Sequence, residues 1–209
     1  MGGAGNETLV SSTIQPAPLD LQALLRQSEA QHRHLCPRQV LGVRMGMLAA
    51  RRFTVAMPQQ DKRILTIVET DGCFADGVTA ATGCSMGHRT MRLADYGKIA
   101  ATFIDTREGR ALRVAPLPDL RARAVQALPE ATNRWRAYLG AYQRMADEEM
   151  FAVRDVTLNF DVESTVGKPG TRGICAECAE EIINQREVLC AGRVLCRSCA
   201  GDSYWKPRS

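Results

Sequence analysis

The sequence predicts an α+β protein: a core with a mixed or antiparallel sheet and flanking helices, followed by a small C-terminal zinc-binding domain. Helical runs and strand-like runs follow one another over about 140 residues in the pattern of an α+β core. The chain has 209 residues, 45% hydrophobic and 24% charged. That is enough apolar side chain to bury a core, and too ordinary a charge for wholesale disorder. Four of the eight cysteines fall into two C-x2-C pairs near the C-terminus.

The elements follow in order. Residues 1–18 are small, polar and Pro-containing, and read as a loose tail. Asp20 can cap a helix from Leu21 to near Ala30, with Leu21, Leu24 and Leu25 at helical spacing. Pro37 suits the first turn of a second helix, which puts Cys36 at its N-cap. Val40, Leu41, Met45, Leu48 and Ala49 give that helix an apolar face as far as about Arg52. Residues 63–69 read as a central strand. A short helix over Cys73–Thr82 closes at Gly83. Leu93, then residues 99–105, read as strands, and Glu108-Gly109 turns the chain into a partner run over 111–115, forming a hairpin. Helices follow over 120–128 and, longer, over 132–150, with a last strand over 153–160. The core spans 19–162, a linker 163–172, and a four-cysteine finger 173–209. There is no internal repeat.

Composition excludes several classes of function. No apolar run approaches the roughly 20 residues of a membrane span, and the first residues lack the charged and apolar regions of a signal peptide. The expectation is a cytoplasmic protein whose cysteines are ligands or reactive thiols rather than disulfides. The net charge of +4 is spread without blocks. Residues 172–209 carry six basic and five acidic side chains. A four-thiolate zinc site would add about −2, which argues against a nucleic-acid grip. No dinucleotide fingerprint, Walker loop or iron–sulfur spacing is present.

Cys175-x2-Cys178-x17-Cys196-x2-Cys199 has the spacing of a structural Zn²⁺ site. A segment of about 35 residues cannot bury enough surface to fold alone, and tetrahedral thiolate ligation supplies the missing free energy. A hairpin about Ala191-Gly192, with a terminal helix opening at Cys196, would make the module resemble a treble clef. Four thiolates leave no open coordination position, so the site is structural. Cys190, beside the turn, reads as an incidental thiol.

The core holds a second constellation. His32 and His34 share a face of an extended segment, and Cys36 at a helix N-terminus gains dipole stabilisation as a thiolate. A metal site, a reactive thiol and a surface turn with chance histidines all fit that spacing. Thr70-Asp71-Gly72-Cys73 follows the best strand. Thr82-Gly83-Cys84-Ser85-Met86-Gly87-His88 is a Gly-bracketed loop that could present N–H groups to an anion, while Cys84 also reads as a buried small residue. Lys98, after a turn, is either an exposed lysine or an anion ligand.

At these residues the chain resembles the formylmethanofuran dehydrogenase E-subunit family. The resemblance rests on His32-Arg33-His34-Leu35-Cys36-Pro37, Gly42-Val43-Arg44-Met45, Thr70-Asp71-Gly72-Cys73, Thr82-Gly83-Cys84-Ser85-Met86-Gly87 and Asp95-Tyr96-Gly97-Lys98-Ile99-Ala100. Arg33 and Arg38 stand where glycine is common, and Thr79 where glutamine is common. The resemblance implies an α+β core, usually a homodimer, with a site near the His-Cys motif and Thr-Asp-x-Cys. The CO2-reducing chemistry behind the family name belongs to other subunits.

Together these readings give a metal-binding accessory or stand-alone protein of C1 or redox metabolism. His32, His34, Cys36 and Cys73 are the candidate ligands of a second divalent metal. Cys36, Cys73 and Asp71 are the candidate catalytic groups, and Cys84 and Lys98 the cofactor contacts. If the chain is an enzyme, its reaction depends on metal or thiol and is not that of a self-sufficient dehydrogenase. The alternative is a non-enzymatic dimeric adaptor whose zinc finger docks a protein partner.

Overall fold

The computed structural model describes residues 19–167 and 170–208; the tail expected over 1–18 lies outside them. The chain divides into two units, one ending at Asn159 and the other starting at Phe160.

In the first unit, α1 (Leu21–His32) begins where Asp20 accepts hydrogen bonds from the Gln22 and Ala23 N–H groups. It ends at Arg33, which takes a left-handed conformation. The second helix, α2 (Pro37–Phe53), has Cys36 at its N-cap, as its proline placed it. The Cys36 N–H donates to Gln39 Oε1 at 2.7 Å, and the Gln39 amide donates back to Ser28 of α1. Helix α2 is buried on nearly every side and packs against the sheet and three neighbouring helices.

The sheet comprises β1 (Ile64–Val68), β2 (Met91–Leu93), β3 (Ala101–Asp105), β4 (Arg110–Pro116) and β5 (Phe151–Asp155), in the order β2-β1-β3-β4-β5. Only the β1–β2 pair is parallel. The sheet is therefore mixed, and the β3–β4 hairpin forms as the turn residues indicate. The strand expected over 153–160 sits earlier, because β5 pairs Phe151 with Pro116 and its ladder ends at Asp155.

Between β1 and β2 lies α3 (Cys73–Thr82), ended by Gly83 with φ +76°. It crosses α2 so closely that a Cβ on Gly42 would stand 2.3 Å from the Phe74 carbonyl oxygen. A Cβ on Gly77 would stand 2.2 Å from the Gln39 carbonyl oxygen. Only glycine permits this approach, and it sets the two helix N-termini side by side.

The single long helix expected over 132–150 is interrupted. After α4 (Leu120–Ala127) come α5 (Arg134–Arg144) and a single turn, α6 (Asp147–Met150), with Met145 and Ala146 extended between them. The cause is Arg44 on α2. Its buried guanidinium donates to the Tyr142 carbonyl (2.8 Å), the Met145 carbonyl (2.7 Å) and Asp147 Oδ1 (2.7 Å). Those carbonyls would otherwise be left unsatisfied at the end of α5, so the buried cation ends the helix.

The second unit holds α7 (Val162–Val166), then β6 (Arg172–Ile174) paired with β7 (Glu181–Ile183), and β8 (Val188–Cys190) paired with β9 (Arg193–Leu195). The stretch expected as linker, 163–172, opens inside α7, because Asp161 caps it through the Ser164 N–H at 2.7 Å. Ala191 and Gly192 both take positive φ in the β8–β9 turn, as a tight hairpin requires. Residues 197–201 form turns, and among the described residues no helix follows Cys196 through Arg208. The terminal helix expected there is thus a run of turns, and each cysteine pair follows a strand of a short hairpin. Among the described residues no helix is long and apolar enough to cross a membrane.

Candidate metal centre and core thiol site

Each cysteine pair of the second unit sits on a turn next to a hairpin strand. Cys175 follows β6, and Cys196 follows β9. The four sulfurs of Cys175, Cys178, Cys196 and Cys199 lie within 4.8 Å of one another. Ligands about 2.3 Å from a tetrahedral zinc have sulfurs roughly 3.8 Å apart, and Cys178 and Cys196 stand at 4.0 Å. Backbone N–H groups aim at the sulfurs as well: Cys196 N–H at Cys175 Sγ (3.3 Å) and Cys199 N–H at Cys196 Sγ (3.4 Å). Such donors favour thiolate. Backbone donors at Cys178 and Cys196 pull the Cys175 thiol down to about 6. The adjoining Cys196 thiol, then burial, push Cys199 up to about 12. The donor set, spacing and polarity all fit one divalent cation. Cys190, on β8, lies outside the cluster.

The core residues converge only in part. Cys36, N-cap of α2, and Cys73, first residue of α3, bring their sulfurs to 3.0 Å across 37 positions of sequence. Burial, then the neighbouring Cys36 thiol, push Cys73 up to about 11. Without a cation Cys73 is thus a thiol near neutral pH, despite its place at a helix N-terminus. His32, last residue of α1, pairs its Nδ1 with Asp76 Oδ2 of α3 at 2.9 Å. Its ring tilts against that of His34, with centroids 4.8 Å apart. A carboxylate on one imidazole nitrogen fixes the ring and leaves the other nitrogen as a ligand. His32 and His34 do not, however, group with the two sulfurs as they stand; among the described residues the group of ligand atoms that could hold a metal ion is the four C-terminal cysteines. The first unit therefore carries a thiol pair flanked by an imidazole pair, not a closed four-ligand site.

Other expected site residues lie elsewhere. Asp71 is exposed on the turn before α3. Cys84 is 1% exposed and its Sγ lies 3.3 Å from the Ile64 carbonyl oxygen and 3.4 Å from Thr66 Oγ1. That is a core position without access to a cofactor, and burial raises its thiol. The loop around it turns its N–H groups inward: Cys84 to Thr82 Oγ1, Ser85 to Thr90 Oγ1 and His88 to Ser85 Oγ. They are not offered to an anion. Lys98 is exposed and lines a cavity whose walls include neither Cys36 nor Cys73. Asp76 follows Cys73 by three residues, one turn further along α3, and its role as the partner of His32 shows only in the structure.

Comparison with known proteins agrees with this architecture. The family model described as "FmdE, Molybdenum formylmethanofuran dehydrogenase operon" matches residues 31–152, more than half of the chain. A probable S-adenosyl-L-methionine-binding protein of Archaeoglobus fulgidus is 38% identical over 97 residues, 45% of this chain. The chain spans only 26% of that relative's length. A crystal structure of a tungsten formylmethanofuran dehydrogenase FmdE-like protein from Syntrophus aciditrophicus superposes with a TM-score of 0.57. It is 20% identical, and the match covers 92% of this chain and 99% of that one. The residues matched by the family model include the His32–Cys36 segment, the glycine-mediated crossing of α2 and α3, and the buried Arg44, and by that match the chain belongs to the FmdE family.

Proposed function

We propose that this FmdE-family protein is a metal-binding accessory or stand-alone protein of C1 or redox metabolism. Its working centre is the Cys36–Cys73 thiol pair with His32 and His34 beside it, and a zinc ion held by Cys175, Cys178, Cys196 and Cys199 keeps the second unit folded. The observation that carries the reading is the 3.0 Å approach of two thiols from two helix N-termini. Two N-termini face one point there, and their partial positive charges offset part of what burial costs a thiolate. Cys36 and Cys73 would hold the core metal, with an imidazole nitrogen of His32 or His34 as a further donor after a side-chain rotation. Mixed N/S ligands favour zinc. A divalent ion bound there would supply Lewis acidity. Asp76 orients His32, and the exposed Asp71 stands at the rim as a proton acceptor. The eight cysteines are free of disulfides, which fits a reducing cytoplasm; the homodimer rests on the family likeness.

The alternative adaptor reading has its own support. The second unit exposes Ile174, Ile183, Leu189, Tyr204 and Trp205, with Tyr204 at 99%. That is much uncovered apolar surface for so small a module.

Metal content per chain separates the readings. It is measured by mass spectrometry on the intact protein, on a C36S/C73S variant and on a C175S/C178S variant, with circular dichroism to check the fold. Two ions per chain, one of them lost with Cys36 and Cys73 while the fold survives, is the expected result. One ion, lost only with Cys175 and Cys178, refutes the core metal and leaves the adaptor.

A further inference from the structure

One end of the sheet carries a cavity that the thiol site does not use. Its volume is about 420 Å³, within the range of small-molecule sites. The walls are apolar: Leu41 from α2, Ile99 and Ala100 leading into β3, and the Pro116–Pro118 bend between β4 and α4. Three cations stand around them, Lys98, Arg113 and Arg121, and no carboxylate lines the cavity.

The cations are not equivalent. Arg113 is held in a two-pronged ion pair by the buried Glu69, at 2.6 and 2.7 Å, so its charge is countered and its position fixed. Lys98 has only a ring contact, its Nζ 5.8 Å from the centroid of Tyr96. The Lys98 loop is nonetheless anchored, because the Glu69 carbonyl accepts both the Tyr96 and Lys98 N–H groups. Arg121 has no ion-pair partner among the described residues.

A phenol joins the cations. Tyr142 of α5 lines the cavity and is only 3% exposed, and its hydroxyl is not among the buried polar atoms left without a partner, so it is a donor open to the cavity. Burial pushes it up to about 12, with the Arg121 charge pulling the other way, so it remains a proton donor facing Arg121. A phenol donor, two uncountered cations and apolar walls are complementary to one kind of molecule.

We propose that this cavity binds a small organic anion, a carboxylate or phosphate carried on an apolar body. The oxyanion lies between Lys98 and Arg121 and accepts the Tyr142 hydroxyl, while the body rests on Leu41, Ile99 and the proline bend. The site is separate from the thiol pair and does not depend on a metal there.

The test uses the full chain and three probes: phenyl phosphate, benzoate and inorganic phosphate. Amide shifts in a ¹⁵N-labelled sample and calorimetry read the binding. Saturable binding of phenyl phosphate or benzoate is expected, with shifts at residues 98–100 and 115–121. Inorganic phosphate binds more weakly, having nothing to place on the apolar walls. Arg121→Gln and Lys98→Gln each weaken binding by about ten-fold, the scale of a charge-assisted hydrogen bond. Tyr142→Phe weakens it by about five-fold without unfolding α5. Arg26→Gln, an exposed arginine on α1, changes nothing. A preference between the two organic probes names the head group. The proposal is overturned if neither organic probe saturates by about 10 mM. It is also overturned if Arg121→Gln and Lys98→Gln bind as the parent does, or if inorganic phosphate binds as tightly as phenyl phosphate.

Discussion

Replacing Gly77 with alanine tests how the fold holds its two core thiols together. The new Cβ would lie 2.2 Å from the Gln39 carbonyl oxygen and 3.0 Å from Gln39 Cα, both backbone atoms that cannot rotate away. Ordinary contact begins at 3.4 Å, so α3 must retreat from α2 by about 1.2 Å, the difference between 3.4 and 2.2. Cys73 lies four residues before Gly77 on the same face of α3. The sulfur separation should then open from 3.0 Å to about 4 Å. Overpacking costs about 1–3 kcal/mol, and the better helix propensity of alanine returns about 1 kcal/mol. The net loss is about 0–2 kcal/mol. Urea unfolding measures that loss. Bridging of Cys36 to Cys73 by phenylarsine oxide, located by peptide mapping, measures the separation and should fall several-fold. Gly87→Ala is the control, because a Cβ there meets nothing within 4 Å. If Gly77→Ala is as stable as Gly87→Ala and is bridged as fully, the helix contact is not what pairs the thiols.

Two further outcomes are expected. Arg44→Met leaves the Tyr142 and Met145 carbonyls and a largely buried Asp147 short of a partner, and should cost about 3–5 kcal/mol, or roughly 10 °C in Tm. Arg51→Met removes the half-exposed second partner of the same carboxylate and should cost under about 1 kcal/mol; equal losses in thermal melts would show that Arg44 does not define the end of α5. Zinc uptake by the four cysteines of the metal-free protein should release about two or more protons at pH 7. Cys175 is already ionised there, while Cys178 and Cys199 lie above their ordinary range. Apparent affinity therefore falls as pH drops, and calorimetry in buffers of different ionisation enthalpy counts the protons. Release of fewer than one would mean that the four cysteines do not bind as thiolates.

Local signals in the sequence were read correctly where the forces are local. Asp20 and Pro37 start their helices within one turn of themselves, Gly83 ends α3, and Ala191-Gly192 turns the second hairpin. The C-x2-C pairs announced the four-cysteine cluster for the same reason, since each pair needs only one turn to place two sulfurs. The readings that failed depended on a distant partner. Residues 132–150 have helical periodicity throughout, and only Arg44, about a hundred positions away, breaks them. Cys84 in its Gly-bracketed loop looked available until β1 was seen to cover it.

By itself, then, the sequence determined the α+β class, most of the core helices and strands, the zinc-type ligand set and the family. These follow from periodicity, capping and spacing, which act over a few residues. Tertiary structure decided the rest. Glycine-to-backbone contacts between α2 and α3 brought Cys36 to Cys73 and left the histidines paired beside them rather than closed around one point. Lys98, Arg121 and Tyr142 come from three segments whose meeting depends on strand order and on how α5 packs, and no local pattern of residues encodes that.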